Sequence, residues 1–267
     1  MSETFKLLFI GDIVGRSGRR AVKRYLVDDN NNKKYDFVIA NAENASHGFG
    51  LTLKNHDELL SYGINCLTSG NHIFDKKDVY QYIDTSKYLV RPFNYNKTIP
   101  GDGFKEFPNI TVVNLLGRTF MPPVDCPFCA VEKILQYVDK NKITFIDFHA
   151  EATAEKQSLA RFSANLGAEA LIGTHTHVQT ADEQIIDNKL AYLTDAGFCG
   201  SKNSIIGMEY EGSLKRLLTS LNERFEVETS YPIVFNAVEI EFLDKKPVSI
   251  KRINVEYDEV EGAEDED

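Results

Sequence analysis

The chain has 267 residues, of which 42% are hydrophobic, 26% charged and 11% aromatic, and these fractions exclude collagen-like, low-complexity and disordered chains. The formal net charge is −10, but eight of the 40 acidic residues lie in residues 256–267, which contain no lysine or arginine. The rest of the chain is close to neutral, so we expect no strong binding of nucleic acid.

Short apolar runs alternate with stretches of helical spacing along the chain. Strands are predicted, in order, at residues 7–10, 37–40, 66–68, 110–116, 143–148, 170–172 and 190–193, with a closing hairpin from 233–242 and 248–255. Between them, helices are predicted at residues 17–26, 53–60, 78–83, 131–138, 154–166 and 212–221. This alternation predicts an α/β fold with a mostly parallel sheet, and the late strands without helices add antiparallel content.

Composition along the chain predicts a single domain and a cytoplasmic location. Residues 1–257 contain no internal repeat and no linker rich in Ser, Gly or Pro, whereas residues 258–267 form an acidic tail that we expect to be disordered. No run approaches the ~20 apolar residues of a membrane span, and we expect no membrane partner. Four scattered cysteines are too few for a disulfide framework, which favours a cytoplasmic location.

Polar side chains of metal-binding types collect just after the predicted strands, where open α/β sheets bind their ligands. Each one taken alone would be an ordinary helix cap, turn residue or structural histidine. Together they predict a shared site at one sheet edge. The set comprises Asp12, Glu43, Asn44, Asn71, His72, His149, His175 and His177.

The donor atoms of this set indicate which ions it would hold. Imidazole nitrogens with carboxylate and amide oxygens, and no thiolate, suit manganese, iron or zinc better than calcium. His175 and His177 are alternate residues, and in an extended segment they would share one face. The set exceeds one coordination sphere, and two metals ~3.5–4 Å apart clamp the attacking and leaving oxygens of a displacement at phosphorus.

The motifs and their order resemble those of calcineurin-like metallophosphoesterases, and in particular the bacterial YmdB-type branch. The resemblance rests on FIGDIVG at 9–15, NAEN at 41–44, GNH at 70–72, HAEAT at 149–153 and GTHTHVQT at 173–180. Val14 stands where the wider superfamily has a histidine, and residues 41–44 stand where it has a pair of aspartates. Both departures are similar to the YmdB-type branch, and the match covers nearly the whole chain except the tail.

The resemblance implies a four-layer α/β/β/α sandwich and phosphodiesterase activity on cyclic nucleotides such as 2′,3′-cyclic AMP. It also implies two metal ions, with iron or manganese expected first and zinc as an alternative. His72 would protonate the leaving oxygen after attack by a metal-bridging hydroxide. Two ligand groups that share Glu43 follow by position: Asp12, Glu43, Asn44 and His177 for the first metal, and Glu43, Asn71, His149 and His175 for the second.

Two other functions stay open beside this one. A nucleotide- or RNA-binding regulator without catalysis would not need His72 as an acid, and a phosphomonoesterase would prefer p-nitrophenyl phosphate to its bis-ester. Arg16, at the start of the first predicted helix, and His47, in a loop near the second motif, are candidate substrate contacts. The expected partner is a small phosphodiester, and self-association into a homo-oligomer stays open.

The segment Cys126-Pro127-Phe128-Cys129 has the spacing of a zinc half-site or of a redox pair. A zinc site of four thiolates would need two more cysteines nearby, but Cys66 and Cys199 are predicted on separate elements. A redox role would need the pair to open a helix, and helical spacing begins only at residue 131. The sequence therefore favours two free thiols in a segment that leads from a loop into a helix.

Overall fold

The computed structural model describes residues 3–221 and 224–258, so all of the predicted acidic tail except Asp258 lies outside the described residues. The described α-helices are α1 (Gly15–Lys23), α2 (Leu53–Ser61), α3 (Pro127–Ile134), α4 (Thr153–Leu166) and α5 (Tyr210–Thr219). A π-helical turn (Arg24–Asp28) and two 3-10 helices (Asn32–Lys34 and Lys77–Gln81) accompany them, the last of these where a helix was predicted at residues 78–83. The described strands are β1 (Thr4–Ile10), β2 (Asp12–Ile13), β3 (Phe37–Asn41), β4 (Cys66–Thr68), β5 (Phe104–Glu106), β6 (Ile110–Leu116), β7 (Ile143–His149), β8 (Ala170–Thr174), β9 (Gln184–Ile186), β10 (Leu190–Leu193), β11 (Phe198–Ser201), β12 (Ile233–Leu243) and β13 (Lys246–Tyr257).

The strands form two sheets. The first has the order β2-β11-β12-β1-β3-β4, with β13 paired to β12. In it, β1, β3 and β4 are parallel, whereas β12 runs antiparallel to β1 and to β13. The second has the order β5-β6-β7-β8-β10-β9, with four parallel central strands and an antiparallel strand at each edge.

Three apolar layers separate four layers of secondary structure. One cluster joins α1 and α2 to the first sheet, and it includes Val22 of α1, Leu59 of α2 and Leu8 of β1. The middle cluster lies between the sheets and includes Phe9 and Phe145, whose rings are 4.9 Å apart. The third cluster packs α3 and α4 on the second sheet. The chain is therefore an α/β/β/α sandwich, which confirms the predicted fold.

The residues alone predicted one mostly parallel sheet, and on this point that prediction was wrong. The two sheets share the same buried, apolar type of strand, so hydropathy does not show where one sheet ends and the other begins. The short strands β2, β5, β9 and β11, of two to four residues each, were not predicted. None of the helices in the described part of the chain has the length and hydrophobicity that a bilayer crossing requires.

Candidate metal centre

Side chains from five strand ends meet where the carboxyl edges of the two sheets face each other. The first sheet brings groups that follow β1, β3 and β4, and the second brings groups that end β7 or follow β8. The predicted edge is therefore a seam between two sheets. The structure brings together, through the distances given below, all seven predicted ligands: Asp12, Glu43, Asn44, Asn71, His149, His175 and His177.

Glu43 lies at the centre of this cluster. Its Oε1 atom is 3.0 Å from His149 Nε2 and accepts a hydrogen bond of 3.1 Å from Asn44 Nδ2. Its Oε2 atom accepts a hydrogen bond of 3.0 Å from the backbone N–H of His72. The side chain is almost fully buried, so one carboxylate faces two groups of candidate ligands.

The first group lies on the Asn44 side of Glu43. The Nε2 atom of His177 is 3.3 Å from Asn44 Nδ2 and 3.7 Å from Asp12 Oδ1. The oxygens Asp12 Oδ1 and Asn44 Oδ1 are buried, and neither has a hydrogen-bond partner among the described residues. A buried carboxylate or amide oxygen without a hydrogen-bond partner costs free energy, and these two oxygens beside an imidazole fit the ligand set of a divalent cation.

The second group lies on the His149 side of Glu43. His149 Nε2 is 3.2 Å from Asn71 Oδ1 and 3.0 Å from His175 Nδ1. Glu43, His149 and His175 each offer one ligand atom, and these three atoms lie within 4.8 Å of one another. These nitrogen and oxygen donors also fit a divalent metal.

Gly70 makes room for this close approach. A Cβ atom built at Gly70 would lie 2.3 Å from Glu43 Oε2 and 2.5 Å from His149 Nε2. Neither atom can withdraw without leaving the cluster, so only glycine fits between β4 and the two candidate ligands.

A buried hydrogen-bond chain fixes the orientation of the His149 ring. The Thr174 hydroxyl donates to Asp147 Oδ1 at 2.7 Å, so its oxygen accepts the Nδ1–H of His149 at 2.9 Å. This hydrogen bond directs the Nε2 atom of His149 at Glu43. The carboxylate of Asp147 also accepts hydrogen bonds from Thr68 and Asn41. Such partners typically orient metal-binding histidines, and sequence reasoning missed all four of them.

The other two histidines are oriented in the same way. His177 Nδ1 donates to the carbonyl of Ile206 at 2.7 Å, which directs Nε2 toward Asp12 and Asn44. The Nε2 atom of His175 lies 3.3 Å from Glu151 Oε2, which leaves its Nδ1 atom facing His149. Each ring therefore presents one nitrogen to the cluster and binds the protein with the other.

The backbone that carries His175 and His177 is a left-handed turn. Their φ angles are +104° and +62°, so the prediction that both lie on one face of an extended segment was wrong. Non-glycine residues with such φ angles are uncommon, and they persist only where the surrounding structure holds them. The turn, and not the alternation of a strand, brings the two imidazoles to the cluster.

Charges within the cluster shift the pKa values of its members. Burial lowers the pKa of His149, but the charge and hydrogen bond of Glu43, together with the charges of Asp12 and Asp147, outweigh burial and raise that pKa to about 9. Burial raises the pKa of Glu43, but the charge and hydrogen bond of His149 hold it below its usual value. Burial acts in the same way on Asp12, and His177 holds the pKa of that carboxyl low. A bound cation would replace the His149 proton, because a ligating imidazole is neutral.

His72 lies beside the cluster without joining it through its ring. Its Nδ1 atom is 2.7 Å from Asp75 Oδ2, and its side chain is 31% exposed. The ring of Phe49 meets it edge-on, with 4.9 Å between the ring centroids. The backbone N–H of His72 is the group that contacts Glu43, which leaves the imidazole open to a bound molecule.

The two candidate substrate contacts lie on elements next to the cluster. Arg16 is half-buried in the first turn of α1, and the preceding Gly15 N–H donates to the Asn44 carbonyl at 2.9 Å. His47 is exposed in a turn, with a φ of +57°. The structure thus leaves both assignments as proposals.

Comparisons with known proteins identify the family of this chain. The model of the family described as YmdB-like protein matches residues 8–253. A 2′,3′-cyclic-nucleotide 2′-phosphodiesterase of Bacillus subtilis (strain 168) is 42% identical over 259 residues, which cover 95% of this chain and 98% of the relative. The crystal structure of a hypothetical protein from Thermus thermophilus has a TM-score of 0.89 at 37% identity, covering 94% of this chain and 99% of its own. The structure of a novel phosphatase from Mycoplasma pneumoniae has a TM-score of 0.88 at 34% identity, covering 97% and 95%. This chain therefore belongs to the YmdB-like protein family.

Proposed function

We propose that this protein is a metal-dependent phosphodiesterase that hydrolyses a small phosphodiester, with 2′,3′-cyclic nucleotides such as 2′,3′-cyclic AMP as the substrate class. The arrangement of two groups of ligand atoms around the single carboxylate of Glu43 is the observation that carries the proposal. The Bacillus subtilis relative, named for this activity, supports the choice of substrate.

The ligand groups follow from the distances described above. In this proposal Asp12, Asn44 and His177 hold one ion, Asn71, His149 and His175 hold the other, and Glu43 serves both. Iron or manganese is our first expectation for both sites, with zinc as an alternative. Two bound ions would lower the pKa of the attacking water and offset the negative charge that develops at phosphorus.

His72 is the proton donor in this proposal. Its ring is partly exposed beside the cluster, and Asp75 accepts the hydrogen bond from Nδ1, which orients the ring. The Nε2–H is then available to the oxygen that leaves phosphorus. A ribose oxygen is a poor leaving group as an alkoxide, so a proton delivered in the transition state accelerates its departure.

Two further parts of the proposal concern the chain as a whole. Residues 1–257 form one domain, because the apolar layer between the sheets contains residues from Phe5 to Phe242. A cytoplasmic location remains our expectation from the cysteine content.

The test combines metal analysis with a substrate panel. Protein purified without chelator is analysed for metals and then assayed with 2′,3′-cyclic AMP, bis-p-nitrophenyl phosphate and p-nitrophenyl phosphate. Glu43→Gln keeps the shape but removes the charge, and we expect it to lose at least one metal and ~10²-fold or more of the activity. Glu241→Gln, an exposed carboxyl paired with Lys6, is the matched control and should keep both.

Three outcomes would overturn parts of this proposal. Full metal content with near-normal turnover in Glu43→Gln would remove Glu43 from the shared role. A clear preference for p-nitrophenyl phosphate over its bis-ester, without turnover of the cyclic nucleotide, would favour a phosphomonoesterase. Tight nucleotide binding without hydrolysis of any of the three compounds would favour a regulator that does not catalyse.

A further inference from the structure

A second site of chemically reactive side chains lies at the start of α3. The helix begins at Pro127, so Cys126 is its N-cap residue and Cys129 is in its first turn. This corrects the prediction of a helix that begins at residue 131. Proline at the first helical position explains the earlier start, because its fixed φ suits a helix and its missing N–H is not needed there. The cysteine pair therefore opens a helix, as a redox pair requires.

The two thiols differ in their surroundings. The backbone N–H groups of Cys129 and Phe128 and the Arg118 side chain interact with the Cys126 sulfur, which lowers the pKa of Cys126. The thiol of Cys129 shares a hydrogen bond with Cys126, and this raises the pKa of Cys129. Cys126 is thus the better nucleophile, and Cys129 is placed to attack a mixed disulfide that forms on Cys126.

The other two cysteines provide an internal contrast. Cys66 and Cys199 are free and buried, whereas Cys126 is half-buried and Cys129 is exposed. Burial raises the pKa of both Cys66 and Cys199, which keeps them as unreactive thiols. Reactivity toward an external reagent is therefore confined by the fold to the pair at the start of α3.

The spacing of the pair suits an intramolecular disulfide. Residues three apart in the first turn of a helix have Cα atoms roughly 5–6 Å apart. Disulfides need Cα atoms about 4.4–6.8 Å apart. The bond between Cys126 and Cys129 can therefore form without unwinding α3.

Both cysteines line a cavity of about 600 Å³, a volume in the range of small-molecule sites. Its walls include the rings of Phe93, Tyr95 and Phe104 and the cationic side chains of Arg91, Lys97 and Lys133. The acids on the wall are Asp102 and Asp125, and Asp102 is paired with Lys105 at 2.6 Å. Arg91 donates to the carbonyls of Pro92, Ile99 and Pro100, so Lys97 and Lys133 are the lining cations that we assign to an incoming anion.

We propose that Cys126 and Cys129 form a redox-active dithiol that exchanges with an anionic low-molecular-weight disulfide of the glutathione class. Cys126 loses its proton, and its thiolate attacks one sulfur of the external disulfide, forms a mixed disulfide and releases one thiolate, which takes up a proton. Cys129 then loses its proton, attacks the Cys126 sulfur and releases the second thiolate, which takes up a proton. Two electrons and two protons pass from the protein to the external disulfide. This site is independent of the proposed hydrolase activity.

The first test follows the thiols of the full-length protein. The protein is incubated with oxidised and reduced glutathione in varied ratios, and free thiols are alkylated and located by peptide mass spectrometry. We expect loss of two hydrogen atoms and an internal Cys126–Cys129 disulfide, with Cys66 and Cys199 unchanged. In Cys129→Ser the mixed disulfide should accumulate on Cys126. With iodoacetamide at pH 7, Cys126 in that variant should react ~10-fold faster than Cys129 in Cys126→Ser.

Two results would overturn the proposal. The first is that both cysteines remain open to alkylation in a large excess of oxidised glutathione. The second is that Cys129→Ser and Cys126→Ser form mixed disulfides at equal rates, which would remove the distinction between the two thiols. Melting temperatures of both variants close to that of the unmodified protein ensure that neither result comes from unfolding.

A second test addresses the cavity. Lys133→Ala should slow the reaction with glutathione disulfide, which carries carboxylates, but should leave the reaction with the neutral hydroxyethyl disulfide unchanged. Moderate salt should slow the first reaction in the unmodified protein and not the second, because screening weakens attraction between exposed charges. An equal effect of the substitution on both reagents would overturn the preference for an anionic disulfide.

Discussion

A buried ion pair, Lys156–Asp195, lies beneath the left-handed turn that carries His175 and His177 (the histidine turn). We predict from its contacts how much free energy of unfolding is lost when the pair is broken. Lys156, fully buried, donates from Nζ to the carbonyl of Thr174 at 2.9 Å and to Asp195 Oδ2 at 2.8 Å. The same Asp195 oxygen accepts the backbone N–H of Thr176 at 3.1 Å. The pair thus contacts the backbone just before His175 and between His175 and His177, where the chain takes its left-handed conformation.

Lys156→Met would keep the volume of the side chain and leave the Asp195 carboxylate buried without its cation. Breaking a buried ion pair on one side costs about 3–5 kcal/mol. Asp195 would still accept the N–H groups of Thr176 and Gly197, so we expect the lower end, about 3 kcal/mol of unfolding free energy. The double variant Lys156→Met/Asp195→Asn removes both charges, and it should be destabilised by only about 1–2 kcal/mol because no unpaired charge remains.

Urea unfolding of the chelator-treated protein measures these differences without a contribution from bound metal. Lys202→Met is the matched control, because the pair Lys202–Glu256 is exposed on both sides and should contribute less than about 1 kcal/mol. Metal affinity, measured separately, should fall ~10-fold in Lys156→Met because the histidine turn loses its support. The reasoning is refuted if the single variant loses no more stability than the control, or if the double variant is less stable than the single one.

The remaining predictions concern the metal centre and the tail. His72→Ala should retain both metals but lose ~10²–10⁴-fold in turnover of a cyclic nucleotide. The loss on an activated p-nitrophenyl ester should be much smaller, because that leaving group needs no proton. Loss of a metal in this variant would instead make His72 a ligand. Gly70→Ala should fold but bind metal at least ~10-fold more weakly, because its Cβ would displace Glu43 and His149; unchanged affinity would show that both side chains can move aside. Deleting residues 260–267 should leave the melting temperature and the activity unchanged, because the segment contains almost no apolar residues; a large drop in either would contradict this.

The sequence was informative where a single physical signal decides the structure. The strands β6 and β10 were predicted with the bounds that the structure has, since each is an apolar, β-prone run with a polar or turn residue at its end. The strand β2 has two residues and exists because Asp12 and Ile13 pair with Phe198 and Cys199 of β11. Nothing in so short a segment indicates that partner, which lies far away in the chain.

The pairing of β1 shows why the two sheets could not be separated from the sequence. β1 lies between β3, which is its parallel neighbour, and β12, which is antiparallel and follows it by more than two hundred residues. The alternation of strands and helices indicates parallel neighbours only for consecutive strands. The insertion of the closing hairpin into the first sheet depends on side-chain packing between the sheets, which single-chain hydropathy does not describe.

In the candidate metal centre, residue type predicts the ligands, whereas the residues that orient those ligands depend on the register between strands. Residue type at the strand ends was sufficient to group the seven candidate ligands, because the carboxyl ends of parallel strands share an edge in each sheet and the two edges face each other. The residues that orient them lie inside the strands. Asp147 and His149 share a face of β7 because they are two residues apart, and the parallel register places Thr174 of β8 opposite His149. Asp147 was visible as the one acid in a fully buried strand, but its role depends on that register, since a shift of one residue would turn Thr174 to the other face.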